Sequence, residues 1–395
     1  MTFGRGASAL ALGCSALVCW AALCAAARPA HAQENDKVEA STAMYVRTDT
    51  DETTVLTPRL ELGAPLTEET RLDLVYTVDV WTSASIDIRT SASIRTGDAA
   101  PARVTEQRDE IDVGVQHTLG DVILGGSYRY SVEHDYESHG GSLGGSLDFA
   151  DKSANAALAV RAYFDTVGRA GAPDFEEKST LLSARAALTQ VIDRESLAQL
   201  VYEAGLQQGY LSSPYRFVRF AAADGPRESR CRESVTLCLP EVNPDSRLRH
   251  AIALSGRRAL GEAFSLGASY RFYLDSWDMT SHTLGLDGAL VPADDWLVSL
   301  GYRFYTQSSA SHFKTFYVSA PMRPLEEAYT SDKELSALSS HRLQLEVMKR
   351  FELDELGSEL STVLLLAPTH FLYHEFLLLD TITALEVTLA VEVAL

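Results

Sequence analysis

Segment after segment of this chain alternates apolar and polar residues with a period of two, which confines it to half-buried β-strands. Phe264, Leu266, Ala268, Tyr270 and Phe272 share one face, against Ser265, Gly267, Ser269 and Arg271. Trp296, Val298, Leu300, Tyr302 and Phe304 repeat the pattern against Ser299, Gly301 and Arg303, as do Leu72, Leu74, Tyr76, Val78 and Val80 against Arg71, Asp73, Thr77 and Asp79. Ile111, Val113, Val115 and Leu119 stand against Glu110, Asp112, Gly114, Gln116 and Thr118. Each run is about ten residues long, the length a tilted strand needs to cross a bilayer. A soluble sandwich strand also alternates, so the connections must decide.

They do. Short turns fall near residues 66–70, 120–121, 150–153, 192–195, 260–263 and 292–295, and long segments near 81–108, 164–177, 207–245 and 305–340. Short and long connections taken in turn place every long loop at one end, as in a transmembrane antiparallel β-barrel with short periplasmic turns and long outer loops. Aromatics cluster at strand ends, in Tyr128-Arg129-Tyr130, Tyr163-Phe164, residues 270–273 and residues 302–305, with Phe264 and Trp296 at the opposite ends. Rings at both headgroup levels are the expected girdles. The last residues alternate to Leu395, like a C-terminal barrel-assembly signal except that Phe is usual there. Counting strands gives about sixteen, with Pro58 and the consecutive apolar residues of 360–379 as the places that fit least well.

The N-terminus predicts a cleaved secretory signal over residues 1–32, leaving the barrel as residues 33–395. Arg5 precedes an apolar run from Ala7 to Ala27, and Ala30-His31-Ala32 supplies a small-x-small site before Gln33. Removal of Arg5 and Arg28 takes the net charge from −20 to −22, which argues against nucleic acid as a partner. Cys231 and Cys238, the two cysteines left after cleavage, read as a local disulfide in an oxidising compartment. A zinc pair is the rival, but no histidine stands at ligand spacing. No mature stretch reaches eighteen apolar residues, which excludes helical spans.

Charges on the polar faces are the main functional candidates. Arg129, Arg161, Arg271, Arg303 and Arg342, with Asp73, Asp287 and Glu346, are expected to line the lumen, alongside Arg185, Arg249, Arg257, Asp79, Glu110, Asp112, Glu203, Glu386 and Glu392. Such a set either forms a charged pore wall or pairs across the lumen and braces a closed barrel; a lumen plugged by the long loops is the third arrangement. Residues 209–220 combine Tyr210, Pro214, Tyr215, Phe217 and Phe220 with Arg216 and Arg219. They read first as a strand extension with a packed surface loop, and second as a constriction folded into the mouth. Residues 243–247 read as turn chemistry. His134, Asp135, His139 and His282 are the rim residues a barrel hydrolase would need, but no second signature joins them.

Several segments resemble the domain of unknown function 3570 family of bacterial outer-membrane proteins. They include Asp79-Val80-Trp81-Thr82-Ser83-Ala84-Ser85, Glu133-His134-Asp135-Tyr136-Glu137-Ser138, and Gly209-Tyr210-Leu211-Ser212-Ser213-Pro214-Tyr215. Collinear with these come Asn243-Pro244-Asp245-Ser246-Arg247, Tyr270-Arg271-Phe272-Tyr273, Ser281-His282-Thr283-Leu284 and Tyr302-Arg303-Phe304-Tyr305-Thr306-Gln307. The resemblance implies an exported barrel and supplies no catalytic residue; its genomic company suggests a link to envelope redox systems. The combined expectation is an outer-membrane barrel, not an enzyme, without cofactor, acting as a porin-like channel for small solutes. Its partners would be outer-membrane lipid and, during biogenesis, the barrel-assembly machinery. A non-conducting docking or assembly barrel is the alternative, and a rim hydrolase the third.

Overall fold

The computed structural model describes residues 37–83, 104–221, 237–318, 327–353 and 358–394. Strands β1 (Glu39–Asp49), β2 (Thr53–Pro65), β3 (Thr70–Ser83), β4 (Val104–Leu119), β5 (Val122–Val132), β6 (Tyr136–Phe149), β7 (Ala154–Val167), β8 (Glu177–Val191) and β9 (Ser196–Gly209) run as an antiparallel meander. It continues through β12 (Ser246–Ala259), β13 (Phe264–Asp275), β14 (Thr280–Ala293), β15 (Trp296–Gln307), β17 (Leu338–Leu353), β18 (Ser358–Tyr373) and β19 (Thr381–Ala394). β19 pairs with β1 from Glu39↔Ala394 to Asp49↔Ala384, closing a barrel of sixteen strands. The short strands β10 (Phe217–Ala221), β11 (Leu237–Pro240) and β16 (Tyr317–Val318) make a separate three-stranded sheet outside the barrel order.

The period-two pattern sorts side chains as expected. Leu143, Leu158, Leu286 and Leu300 stand outward and are 57–69% exposed, whereas their strand neighbours Ser142, Arg161, Asp287 and Gly301 belong to the inner face. An apolar belt around the whole wall far exceeds any patch a water-facing monomer carries. Lipid is the solvent that removes its cost.

Connections at one end are short: 66–69, 120–121, 150–153, 192–195, 260–263 and 294–295. The other end, called outer from here, holds the long segments 210–245 and 308–337, the shorter ones 168–176 and 374–380, and three tight links at 50–52, 133–135 and 276–279. Two of the prolines inside strands, Pro58 and Pro368, use one device, while Pro292 sits at a register shift of the β14–β15 ladder. Pro58 keeps its place opposite Met44 while the β2–β3 ladder lapses between Leu56↔Val80 and Arg59↔Thr77. Pro368 stays opposite Leu385 while the β17–β18 ladder lapses between Arg342↔Thr369 and Leu345↔Leu366. A ring without N–H gives up bonds to one neighbour, and the other ladder holds the strand.

The run 360–379 fits for a different reason. Its even-numbered residues in β18 face lipid, and Phe371, Tyr373, Phe376, Leu378 and Leu379 pack into an apolar cluster inside the outer end. Both faces are apolar because each has an apolar neighbour.

Candidate functional site in the barrel lumen

Most inner-face charges are paired side by side on the wall, between nearby strands and not across the lumen. Arg71, buried, donates to Asp73 at 2.9 Å and Glu39 at 2.7 Å. Arg129 meets Asp112 at 3.3 Å and Glu110 at 3.5 Å. Glu203 lies between Arg185 at 3.5 Å and Arg271 at 3.3 Å, and Arg342 reaches Glu386 at 2.5 Å. Arg257 pairs with Asp287, and Arg108 with Asp79. Glycines leave room for these crossings: a Cβ at Gly63 would strike the Arg71 guanidinium, and one at Gly267 the Asp287 carboxylate.

Three candidates differ. Arg161 and Glu346 make no ion pair among the described residues, and Arg161 is exposed although it belongs to the inner face between Ser142 and Ser183. Arg303 stands opposite Arg342 in register with its Nε unbonded. Around them the wall is small: Gly125, Ser127, Gly144, Ser146, Ala157, Ala159, Ser183, Ala187, Ser255, Ser269, Gly285 and Ser299 occupy inner positions. Short side chains therefore surround the exposed Arg161 on the inner face at mid-height of the wall.

The outer end is filled. Trp277, Met279, Phe313, Leu335, Leu338, Tyr373, Phe376 and Ile382 form a buried cluster with Leu211 and Ala310. Tyr273 and Tyr305 pack against it from the inner faces of β13 and β15. These two were expected in the outer girdle with Tyr270 and Tyr302; period two turns them inward, one residue out of phase with their neighbours. Tyr163 likewise turns inward toward Arg129, while Phe164 faces out, 58% exposed. Each fully buried large apolar side chain contributes about 1.5–3 kcal/mol, so spontaneous dispersal of the plug is rare.

Polar contacts tie the plug to the rim. Arg247 and Asp275 form a buried pair at 2.5 Å, with the guanidinium 4.2 Å from the Trp277 ring centre and the indole N–H donating to Ser246 O at 3.0 Å. Residues 243–247 are therefore an anchor as well as a turn. Lys333, the first residue of a 3-10 turn (Lys333–Leu335), reaches Asp51 in the β1–β2 link at 2.9 Å. Arg216 bridges Asp332 at 2.8 Å and Glu241 at 3.4 Å; burial pushes the Glu241 carboxyl up against the pull of Arg216. Breaking such a buried pair by removing one partner costs about 3–5 kcal/mol. Burial and nearby Arg247 hold His312 down at about 4, so at neutral pH it is uncharged where it bonds Asn243 at 2.9 Å.

Residues 209–220 belong to this structure. β9 ends at Gly209, Leu211 enters the cluster, and Phe220 packs with Val218, Tyr317 and Tyr329 in a second one. Tyr215 accepts from Ala170 N at 2.5 Å and donates to Asp135, linking three outer connections. Where a strand extension was expected first, the chain turns inward at Leu211, which has apolar partners in the cluster, while Phe220 packs among the outer connections as the expected packed loop would. Beside this contact, burial pushes the Glu133 carboxyl up to about 7, with Asp135, Glu106 and Asp79 adding to the effect and Arg108 opposing it.

The rim histidines do not converge. His139 bonds Tyr128 at 2.7 Å on the outer wall, His282 bonds Tyr270 at 2.8 Å on another part of that wall, and Asp135 serves Tyr215. Cys238 lies in β11, and Cys231 falls outside the described residues, as do the expected signal and its cleavage site.

Fold and wall define a membrane-type β-barrel with a loop-filled outer end. The chain belongs to the protein family of unknown function DUF3570, whose profile matches residues 7–180 and 169–362. A comparison with curated proteins gives no match. Among solved structures, a bacterial polysaccharide outer membrane secretin is similar at 10% identity and a TM-score of 0.50, over 91% of this chain and 98% of that one. The siderophore receptor PirA from Pseudomonas aeruginosa follows at 8% identity and 0.42, over 90% and 80%. The Pseudomonas putida toluene transporter TodX is similar at 10% identity and 0.39, over 91% and 89%. At these identities the likeness concerns the fold.

Proposed function

We propose that this protein is an exported outer-membrane barrel that passes small solutes and is closed at rest by its own outer loops. The observation that supports it is vertical: an apolar plug at the outer end stands above a lumen walled by small residues and side-by-side ion pairs. A general porin needs an open mouth, so the passage proposed is selective, with Arg161, Arg303 and Glu346 as the charges a solute would meet. Arg129, Arg271, Arg342, Asp73 and Asp287 would brace the wall. No covalent chemistry and no cofactor is proposed. A docking barrel is the second reading, favoured by the same plug if it never opens.

Export carries two further expectations, read by one measurement. Protein taken from outer-membrane fractions should begin at or near Gln33, and its unreduced mass should be lighter by the two hydrogens of a Cys231–Cys238 disulfide. Intact-mass spectrometry finding Met1 retained would remove the export reading. Two free thiols in correctly processed protein would remove the disulfide alone.

A further inference from the structure

The outer wall carries an ordered row of imidazoles that neither the plug nor the lumen uses. Following the barrel order, Tyr202 on β9 bonds His250 on β12 at 2.7 Å, Tyr270 on β13 bonds His282 on β14 at 2.8 Å, and Tyr302 on β15 bonds His341 on β17 at 2.7 Å. His370 on β18 stands opposite His341 in register and bonds Thr383 on β19 at 2.9 Å. Phe272 and Phe304 lie directly opposite His282 and His341, with ring centres 5.2 Å apart in both pairs. The three tyrosines are each the seventh residue of an ascending strand. Their histidine partners stand level with the ninth residues of those strands, Ala204, Phe272 and Phe304, and eight residues at a tilted strand's rise place these rings about 20 Å above the inner end, near the top of an apolar band of about 25 Å.

In every pair the bond uses Nδ1, and among the described residues Nε2 of His250, His282, His341 and His370 has no protein partner. With the hydroxyl donating, the neutral ring carries its proton on Nε2, presenting a row of N–H donors to whatever surrounds the wall. In lipid such a donor needs an acceptor. The opposite arc supplies an internal contrast. Tyr76 there bonds Asp109 at 2.6 Å, and His139, paired with Tyr128, has its Nε2 occupied by Glu137 at 3.1 Å. Tyr76 and His139 there have carboxylate partners, and on that arc it is His117, bonded through Nδ1 to Thr70 at 2.9 Å near the inner end, that has none among the described residues, as the four histidines high on the β9–β19 arc have none.

We propose that the arc from β9 to β19 binds phosphate groups of outer-leaflet lipid through the Nε2 atoms of His250, His282, His341 and His370. The inference rests on the membrane-spanning reading above. Phosphate is the headgroup oxygen whose charge best rewards an N–H donor, and it recruits the charged imidazolium as readily as the neutral ring.

Native mass spectrometry of the folded full-length protein, titrated with bisphosphorylated lipid A, the same lipid dephosphorylated, and phosphatidylglycerol, tests this. Retention of phosphorylated lipid A should exceed that of the dephosphorylated form by about tenfold, the scale of one charge-assisted hydrogen bond. A His250→Phe, His282→Phe, His341→Phe triple variant should lose the difference, and His139→Phe should keep it. The single His282→Phe variant, expected to lose part of it, keeps the test decisive if the triple variant misfolds. Phosphatidylglycerol held as tightly as lipid A supports the phosphate contact with either lipid as source; weaker retention assigns the site to the glycolipid. Equal retention of phosphorylated and dephosphorylated lipid A, or an undiminished difference in the variants, overturns the proposal. Failure of the wild type to insert into vesicles would instead sink the membrane reading, which is a separate result.

Discussion

Replacing residues 210–245 and 308–337 with short Gly/Ser connectors should turn a quiet barrel into a conducting one. Both replacements are sterically undemanding, because Gln208 already pairs with Ser246 and Gln307 with Leu338. They remove Leu211, Ala310, Phe313 and Leu335 from the cluster, together with the Lys333–Asp51 and Arg216–Asp332 ties. What remains is a sixteen-strand wall whose mouth keeps Trp277, Met279, Leu338, Tyr373, Phe376 and Ile382 without their loop partners, a size that leaves an aqueous channel unless something fills it. In planar bilayers the shortened protein is expected to conduct at least about tenfold more than the wild type. A wild-type conductance that already equals the variant's would mean that the plug does not limit passage. A folded variant that stays silent would favour the docking barrel.

Leu300→Arg should be the most damaging single change on the wall. Leu300 faces outward, 62% exposed, near the middle of β15. A guanidinium there sits near the bilayer midplane and costs about 2–4 kcal/mol. Ser299→Arg, one residue away, should be tolerated, since position 299 faces inward opposite Glu346, which has no ion pair among the described residues. Heat-modifiable gel mobility and denaturant titration of the refolded variants distinguish them. Equal damage from both would reverse the assignment of faces.

The wall was legible in the sequence because its rule is local. Leu300 and Ser299 differ in face by one position, and a period of two can be read without knowing any partner. The closing strand pair was legible only as alternation, since the Glu39↔Ala394 register joins residues from the two ends of the chain. The alternation shows which charges share a face, but not their partners: Arg271 finds Glu203 and Arg342 finds Glu386 only through strand register. The plug was legible least. Its ties join residues far apart in the chain, Lys333 to Asp51 and Arg216 to Asp332, and no local pattern encodes such contacts. One signal was present. Tyr273, Tyr305 and Tyr373 put large rings on the polar face at the outer ends of their strands, where a water-filled mouth has no use for them.

The claim that the outer loops close a hollow lumen is tested most directly by labelling an Arg161→Cys variant in intact cells. Position 161 belongs to the inner face and is exposed to lumen water. A membrane-impermeant maleimide added outside should leave it unlabelled. It should label promptly once the outer membrane is permeabilised, or once segments 210–245 and 308–337 are shortened. Prompt labelling in intact cells with the loops in place would contradict a closed mouth, and no labelling under any condition would contradict a hollow lumen.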